Sequence, residues 1–197
     1  MLAAYVFPIM LALVALIIEF NQIRAISNDL KAAVDAAALA GVLAADVYAD
    51  TYEERIYDNE GRLIRVDPVT YNHRIVNYHG TAFQYAYRTF KRNMDNMGWT
   101  SDGRGRVTIY TADLHGEPFA SGMIDAVTGE GVPDNRGEYS DVDEYQFSAR
   151  ARVKTYLIGP ILEAMSRIMG IEPPVDDMGR IIIEQSSKAR VKVEITG

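Results

Sequence analysis

Residues 2 to 18 read LAAYVFPIMLALVALII, without one charged side chain. Glu19 is the first acid and Arg24 the first base. Such a run is at the short end of the ~17–25 residues that span a bilayer as a helix. It has no polar face to turn towards water, so any fold that contains it must cover it with lipid or with protein. The run is long for the apolar centre of a secretory signal, and no small-residue exit with a fresh start follows it. Nothing basic precedes it, which predicts that a leader has already been removed.

The helix is expected to continue well beyond the run. From Leu2 to about Tyr52 there is one proline, Pro8, and no glycine before Gly41, while alanine and leucine dominate. Both are strong helix formers. One nearly continuous helix over about 3–50 is predicted, bent near Pro8, which lacks the N–H that would bond the Ala4 carbonyl. At 100° per residue, Asn21, Arg24, Asn28, Lys31, Asp35, Asp46 and Asp50 gather on one side. Ala33, Ala36, Ala37, Ala40, Gly41 and Ala44 fill much of the rest, with Leu30, Val34, Leu39 and Leu43.

Part of that small-residue face is expected to pack on the chain's own domain, and the excess of small side chains favours packing on other copies as well. The candidate anchor and filament-core residues are Leu2, Tyr5, Phe7, Pro8, Leu11, Leu13 and Leu16 in the apolar half. Glu19 and Arg24 stand at its end, and Leu30, Ala33, Ala37, Ala40 and Gly41 in the small-residue half. Glu19 lies almost opposite the polar stripe. It is expected either to stay hydrated at a membrane surface or, in a filament, to find a neighbouring copy's Arg24, Gln22 or terminal amine. Arg24 of its own helix, five residues on, is poorly spaced for a pair.

After the helix the chain reads as a mixed domain. Residues 50–80 are mixed, with a short strand at 61–68 entered by a turn at Asn59–Gly61 and stopped by Asp67-Pro68. A second helix is predicted over 82–97, capped by Thr81 and closed by Gly98. Phe83, Tyr87, Phe90, Met94 and Met97 form its core stripe. Strands are predicted at 106–111, 145–157, 180–184 and 188–196, and a short helix over 161–169 ended by Gly170. Phe83, Phe90, Phe147, Val153, Val191 and Val193 are expected to share one core.

Residues 113–144 read as loop. Seven acids between Asp125 and Glu144 lack the spacing of a calcium loop. The basic faces of the strands at 145–157 and 188–196 are expected to meet this acidic stretch, in the same chain or a neighbour. The fold class is therefore α+β: a long N-terminal helix followed by a globular domain with an antiparallel sheet and one or two short helices. The boundary is placed between 1–52 and 53–197.

Several function classes lose ground here. The net charge is −7, from 27 acidic and 20 basic residues, which opposes nucleic-acid binding. There is no cysteine, hence no disulfide or thiolate metal site, and the three histidines are few and scattered. No nucleophile elbow, phosphate loop or metal-spaced histidine pair is present, so neither an enzyme nor a cofactor is expected.

The segment LKAAVDAAALAG, Leu30 to Gly41, resembles the helix signature of tight-adherence (Tad) pilus proteins of the TadE/TadG-like, type IV pilin-like kind. The matching residues are Leu30, Ala32, Ala33, Asp35, Ala36, Ala37, Ala38, Leu39 and Ala40. Phe7-Pro8 stands where such anchors often carry an apolar residue and a proline. The resemblance covers the first fifty residues, and the closing strands more weakly. It departs at Tyr5, where many such proteins carry a glutamate if Met1 is the processed start, so their usual subunit registration does not carry over.

What the resemblance implies is a structural subunit of an extracellular filament that polymerises through its N-terminal helix. Such a subunit sits in the cytoplasmic membrane before assembly. Its partners would be further copies of itself, a prepilin peptidase, a platform protein and an assembly ATPase. The alternative is a minor pilin or accessory protein that stays anchored in the membrane.

Overall fold

In the computed structural model, which describes residues 2–76, 78–119, 144–170 and 173–190, the apolar run and the alanine-rich stretch form one helix, α1 (Leu2–Ala44). Its 43 residues span roughly 65 Å at ~1.5 Å per residue. Pro8 lies inside it. The helix stops at Ala44 and not near 50–52. The next residues, Asp46-Val-Tyr-Ala-Asp-Thr-Tyr, mix β-branched and aromatic side chains that favour a strand.

That strand, β1 (Asp46–Tyr57), pairs antiparallel with β2 (Leu63–Val76) as a separate two-stranded ribbon. Asp58 shapes the turn: its carboxylate accepts the N–H groups of Glu60 at 2.9 Å and Arg62 at 2.7 Å. Gly61 takes φ +78°, a left-handed conformation that suits glycine. The expected stop at Pro68 does not occur, for Pro68 pairs with Glu53 within the ribbon. In a two-stranded ribbon each strand has an open edge, so a missing N–H on that side breaks no ladder bond.

A π-helical turn, Tyr78–Ala82, leads into α2 (Phe83–Asn96), so Thr81 sits inside the turn and not at a cap. Gly98, at φ +70°, closes α2 as expected, and the N–H of Trp99 bonds back to the Met94 carbonyl at 3.0 Å. Phe90 and Met94 are buried, Phe83 and Tyr87 only partly, and Met97 is exposed. Ala82 and Ala86 take the remaining buried places.

The four-stranded sheet centres on β5 (Glu144–Val153), which pairs with β3 (Val107–Thr108), β4 (Leu114–Phe119) and β6 (Ile181–Arg190). Strand β5 alternates as predicted: Tyr145, Phe147, Ala149, Ala151 and Val153 are all buried. Leu157 lies beyond its end. The expected strand at 106–111 shrinks to β3, because a 3-10 turn over Thr111–Asp113 redirects the chain. The expected loop begins with a strand, β4, although the acidic residues 120–143 lie outside the described residues. The two closing strands are one, β6, and the part of the second beyond Arg190, with Val191 and Val193, is also outside them.

The short helix α3 (Ile158–Met169) ends at Gly170, in the left-handed conformation at φ 67°. The protein is thus α+β, a long N-terminal helix followed by antiparallel strands and short helices.

The chain divides into two compact units, which cut across the 1–52 and 53–197 division. One comprises Met1–Ala37, Tyr87–His115 and Phe147–Ser187, and the other Ala38–Ala86, Gly116–Gln146 and Lys188–Gly197. In the first, Phe90 and Phe147 meet as tilted rings with centroids 5.5 Å apart, beside buried Leu30, Val34, Ile109 and Val153.

In the second, the Tyr145 ring occupies space left by two glycines. A Cβ on Gly41 of α1 would stand 2.5 Å from its Cδ1, and one on Gly116 of β4 would strike its hydroxyl. Among the described residues, that hydroxyl is buried without a hydrogen-bond partner. Burial pushes its pKa up to about 12. A raised tyrosine contributes stability that is complete below about 10 and is lost as pH rises towards 12. Tyr145→Phe deletes an unsatisfied donor and keeps the ring. The expected outcome is unchanged stability or a gain of about 1 kcal/mol in urea unfolding, and a flatter stability profile above pH ~10.

Candidate functional site

The sequence changes character at Glu19, and so does the surface of α1. Before it, Phe7, Leu11, Leu13 and Ile17 are all more than half exposed, Pro8 is exposed and Leu16 is half-buried. The exposed side chains point in every direction around the axis, as a run without a polar face requires. By length and composition the helix could cross a membrane. Leu2 and Tyr5 lie in it, but their side chains fall outside what is described.

Among the described side chains of α1, Glu19 is the first that is buried, at 5% exposure. Its carboxylate accepts three backbone N–H groups from the start of α3. One oxygen takes Tyr156, and the other takes Leu157 at 2.9 Å and Ile158 at 2.8 Å. A helix start leaves its first N–H groups without intrahelical partners and carries partial positive charge. Leu157, at the N-cap, has no side chain suited to the task, and the nearby Thr155 hydroxyl accepts only the N–H of Gly159, at 2.9 Å. Glu19 supplies the acceptor from 138 residues away. Arg106 lies near enough to favour the carboxylate and itself bonds Gln22 on α1.

The sequence suggested a partner for Glu19 in a neighbouring copy, or water. The structure places the partner in the same chain, and the exposed Arg24 takes no part. The signal was there, since a lone acid opposite the polar stripe needs a donor. The donors are backbone groups, however, which no residue type announces.

Beyond Glu19 the helix lies along β6. Gln185 donates to the Ser27 hydroxyl at 3.0 Å, and Lys31 donates to the Ser186 carbonyl at 2.9 Å. Leu30, Ala33 and Ala37 are buried here, and Gly41 is buried against Tyr145. Their small size serves close packing within the chain, as expected for the part of this face that meets the chain's own domain. Ala40 is half-buried, and of the larger neighbours Leu39 and Leu43 are exposed.

Sequence reading also missed a cluster of opposite charges. Arg152 pairs with Asp113 and approaches Asp176 at 3.8 Å, while Arg180 bonds Asp176 at 2.7 Å. Both guanidinium groups lie over the Tyr110 ring, at 4.8 and 5.9 Å from its centre. Arg150 pairs with Glu184 at 2.9 Å. The arginines of β5 therefore find Asp113, Asp176 and Glu184, and the acids at 125–143 lie outside the described residues.

Burial alone would raise the Asp176 carboxyl, but the backbone N–H and guanidinium of Arg180, with the N–H of Met178, hold it below its ordinary value of 3.8. A depressed carboxyl contributes stability that is complete above that value and is lost as pH falls through the folded pKa. Asp176→Asn is expected to cost about 2 kcal/mol in urea unfolding at pH 7. The difference from the parent should fade below pH ~4.

No three of His, Asp and Glu gather to hold a metal among the described residues. His115 is exposed on β4. What the arrangement offers is an apolar helix standing clear of a folded domain, with its base clamped at Glu19. No known protein family, curated protein or solved structure matches this chain.

Proposed function

We propose that this chain is a structural subunit of an extracellular pilus-like filament, of the tight-adherence kind that its Leu30–Gly41 segment resembles. The observation that carries the reading is the division of α1 at Glu19. The half before it is apolar on all sides and exposed, and the half after it is docked. Leaving the first half in water costs about 25 cal/mol per Å² of apolar surface. In the membrane before assembly, lipid covers it. In the filament, the same residues of other copies replace lipid. A head-to-tail contact of this sort does not close on itself and gives a helical polymer.

The copy-to-copy surface is then narrower than the sequence alone suggests. Phe7, Leu11 and Leu13 belong to it, with exposed Leu39 and Leu43. Leu30, Ala33, Ala37 and Gly41 do not. By the same resemblance, a prepilin peptidase, a platform protein and an assembly ATPase would act on the chain.

A second reading keeps the chain in the cytoplasmic membrane as a minor pilin or accessory protein of the same kind of assembly system, and the exposed run supports it equally. Electron microscopy of producing cells, with antibody against the domain, separates the two. Labelled filaments that shear from the cell surface are the expected result. Label confined to the cell membrane, with nothing in the sheared fraction, overturns the filament reading in favour of the second.

A further inference from the structure

Helix α3 carries an apolar stripe on its outer side. On a water-soluble domain the apolar stripe of a surface helix turns inward. Here Ile161, Met165 and Ile168, at i, i+4 and i+7, form one exposed stripe, and Ile168 is 84% exposed. The residues turned towards the domain are Gly159, which is buried, with Leu162, Glu163 and Ser166, which are half-buried. Gly159 is there because nothing larger fits: a Cβ would stand 2.5 Å from the Thr155 hydroxyl. The outward stripe is therefore built into the packing.

The position of α3 is set by Glu19, whose carboxylate holds the N–H groups of Tyr156, Leu157 and Ile158. This fastens the start of α3 to the end of the apolar half of α1. The two surfaces also meet in one groove, where Ala15 and Ile18 of α1 and Tyr156 and Leu157 stand beside the polar Glu19, Gln22 and Arg106.

We propose that α3 lies in the interface of the membrane that holds the apolar half of α1, with Ile161, Met165 and Ile168 among the lipids. The proposal rests on the reading of that half as a membrane anchor. A bilayer around residues 2–18 ends at the level of Glu19, where α3 begins. A helix lying in the interface needs an apolar stripe on its membrane side, and Ile161, Met165 and Ile168 supply one. The groove where Ile18 meets Tyr156 and Leu157 also holds Glu19, Gln22 and Arg106, and this change from apolar to polar groups at the start of α3 matches the level of a membrane interface, which favours lipid over a second copy. Anchor and α3 together would hold the domain at a fixed height and tilt on the membrane before assembly.

The chain has no cysteine, so single labels can be placed cleanly. Leu11→Cys, Met165→Cys and Arg167→Cys variants of the full chain, each carrying a small fluorophore, are reconstituted in phosphatidylcholine vesicles. Quenching is compared between iodide in the water, lipids spin-labelled near the headgroup and lipids spin-labelled deep in the chain. The expected result is deep-lipid quenching at 11, at least threefold stronger shallow-lipid than iodide quenching at 165, and the reverse at 167. Deep quenching at 11 with iodide quenching at 165 equal to that at 167 overturns the proposal and leaves the anchor standing. Shielding of 165 from both iodide and lipid assigns the stripe to a second copy and also overturns it. Absence of lipid quenching at 11 removes the anchor and the proposal with it.

Discussion

Glu19→Ala should lower the stability of the folded chain by about 3 kcal/mol, because a buried carboxylate that accepts three N–H groups is among the costlier acceptors to delete. The amides of Tyr156, Leu157 and Ile158 should lose hydrogen-exchange protection in the same variant. Glu19→Gln keeps one carbonyl oxygen and turns an amide N–H₂ towards backbone donors, so it should fall between the two. Urea unfolding of the chain in detergent, where each copy is isolated, reads the effect. Had Glu19 served to pair with a neighbouring copy, the isolated chain would keep its stability and only assembly would suffer. An unchanged unfolding midpoint and unchanged exchange at 156–158 would restore that reading.

Gly41→Ala tests a position near the far end of α1, and there two effects compete. Alanine in a helix interior is favoured over glycine by about 1 kcal/mol. The added Cβ, however, would lie 2.5 Å from Tyr145 Cδ1 and 3.1 Å from its Cζ, against a ring that is wholly buried. Overpacking of this degree costs about 1–3 kcal/mol, or more where the neighbour cannot move. Tyr145 cannot swing aside freely, because Gly116 on β4 leaves it no spare room: a Cβ there would stand 2.8 Å from Phe83 Cδ2 and strike the Tyr145 hydroxyl.

The expected net effect of Gly41→Ala is a loss of about 2 kcal/mol, partly recovered by adding Tyr145→Leu. If Gly41 lay on a surface for other copies, Gly41→Ala would stabilise the isolated chain. The sign of the change in urea unfolding therefore decides between packing within the chain and packing between chains.

The two variants mark where sequence reasoning holds and where it stops. Periodicity was enough for β5, whose alternation from Tyr145 to Val153 is a strong signal that burial follows residue by residue. It was enough for α2 and α3 as well, each closed by a glycine at positive φ. The charge-free run and the long helix were equally legible.

What the residues did not disclose is what each face meets. Small side chains at Ala33, Ala37 and Gly41 say that something comes close, but a tyrosine of the same chain and a helix of another copy ask the same of them. The acceptor role of Glu19 was hidden because its donors are backbone groups over a hundred residues away. The ribbon of β1 and β2 was hidden for a further reason. Its described central part, 53–68, is largely exposed, so burial imposed little apolar alternation on it. Arg55, Ile56, Arg65 and Val66 alternate only weakly, and Pro68 reads as a stop unless the open edge is known.

The central claim is that the apolar half of α1 passes from lipid to the same half of other copies. Leu11→Cys in the otherwise cysteine-free chain tests it most directly, with bifunctional thiol crosslinking on whole producing cells and separate recovery of membrane and sheared surface fractions. A crosslinked dimer enriched in the sheared fraction, with mostly uncrosslinked chain in the membrane fraction, is the result predicted. Chain that stays entirely in the membrane fraction, uncrosslinked at 11, would contradict it.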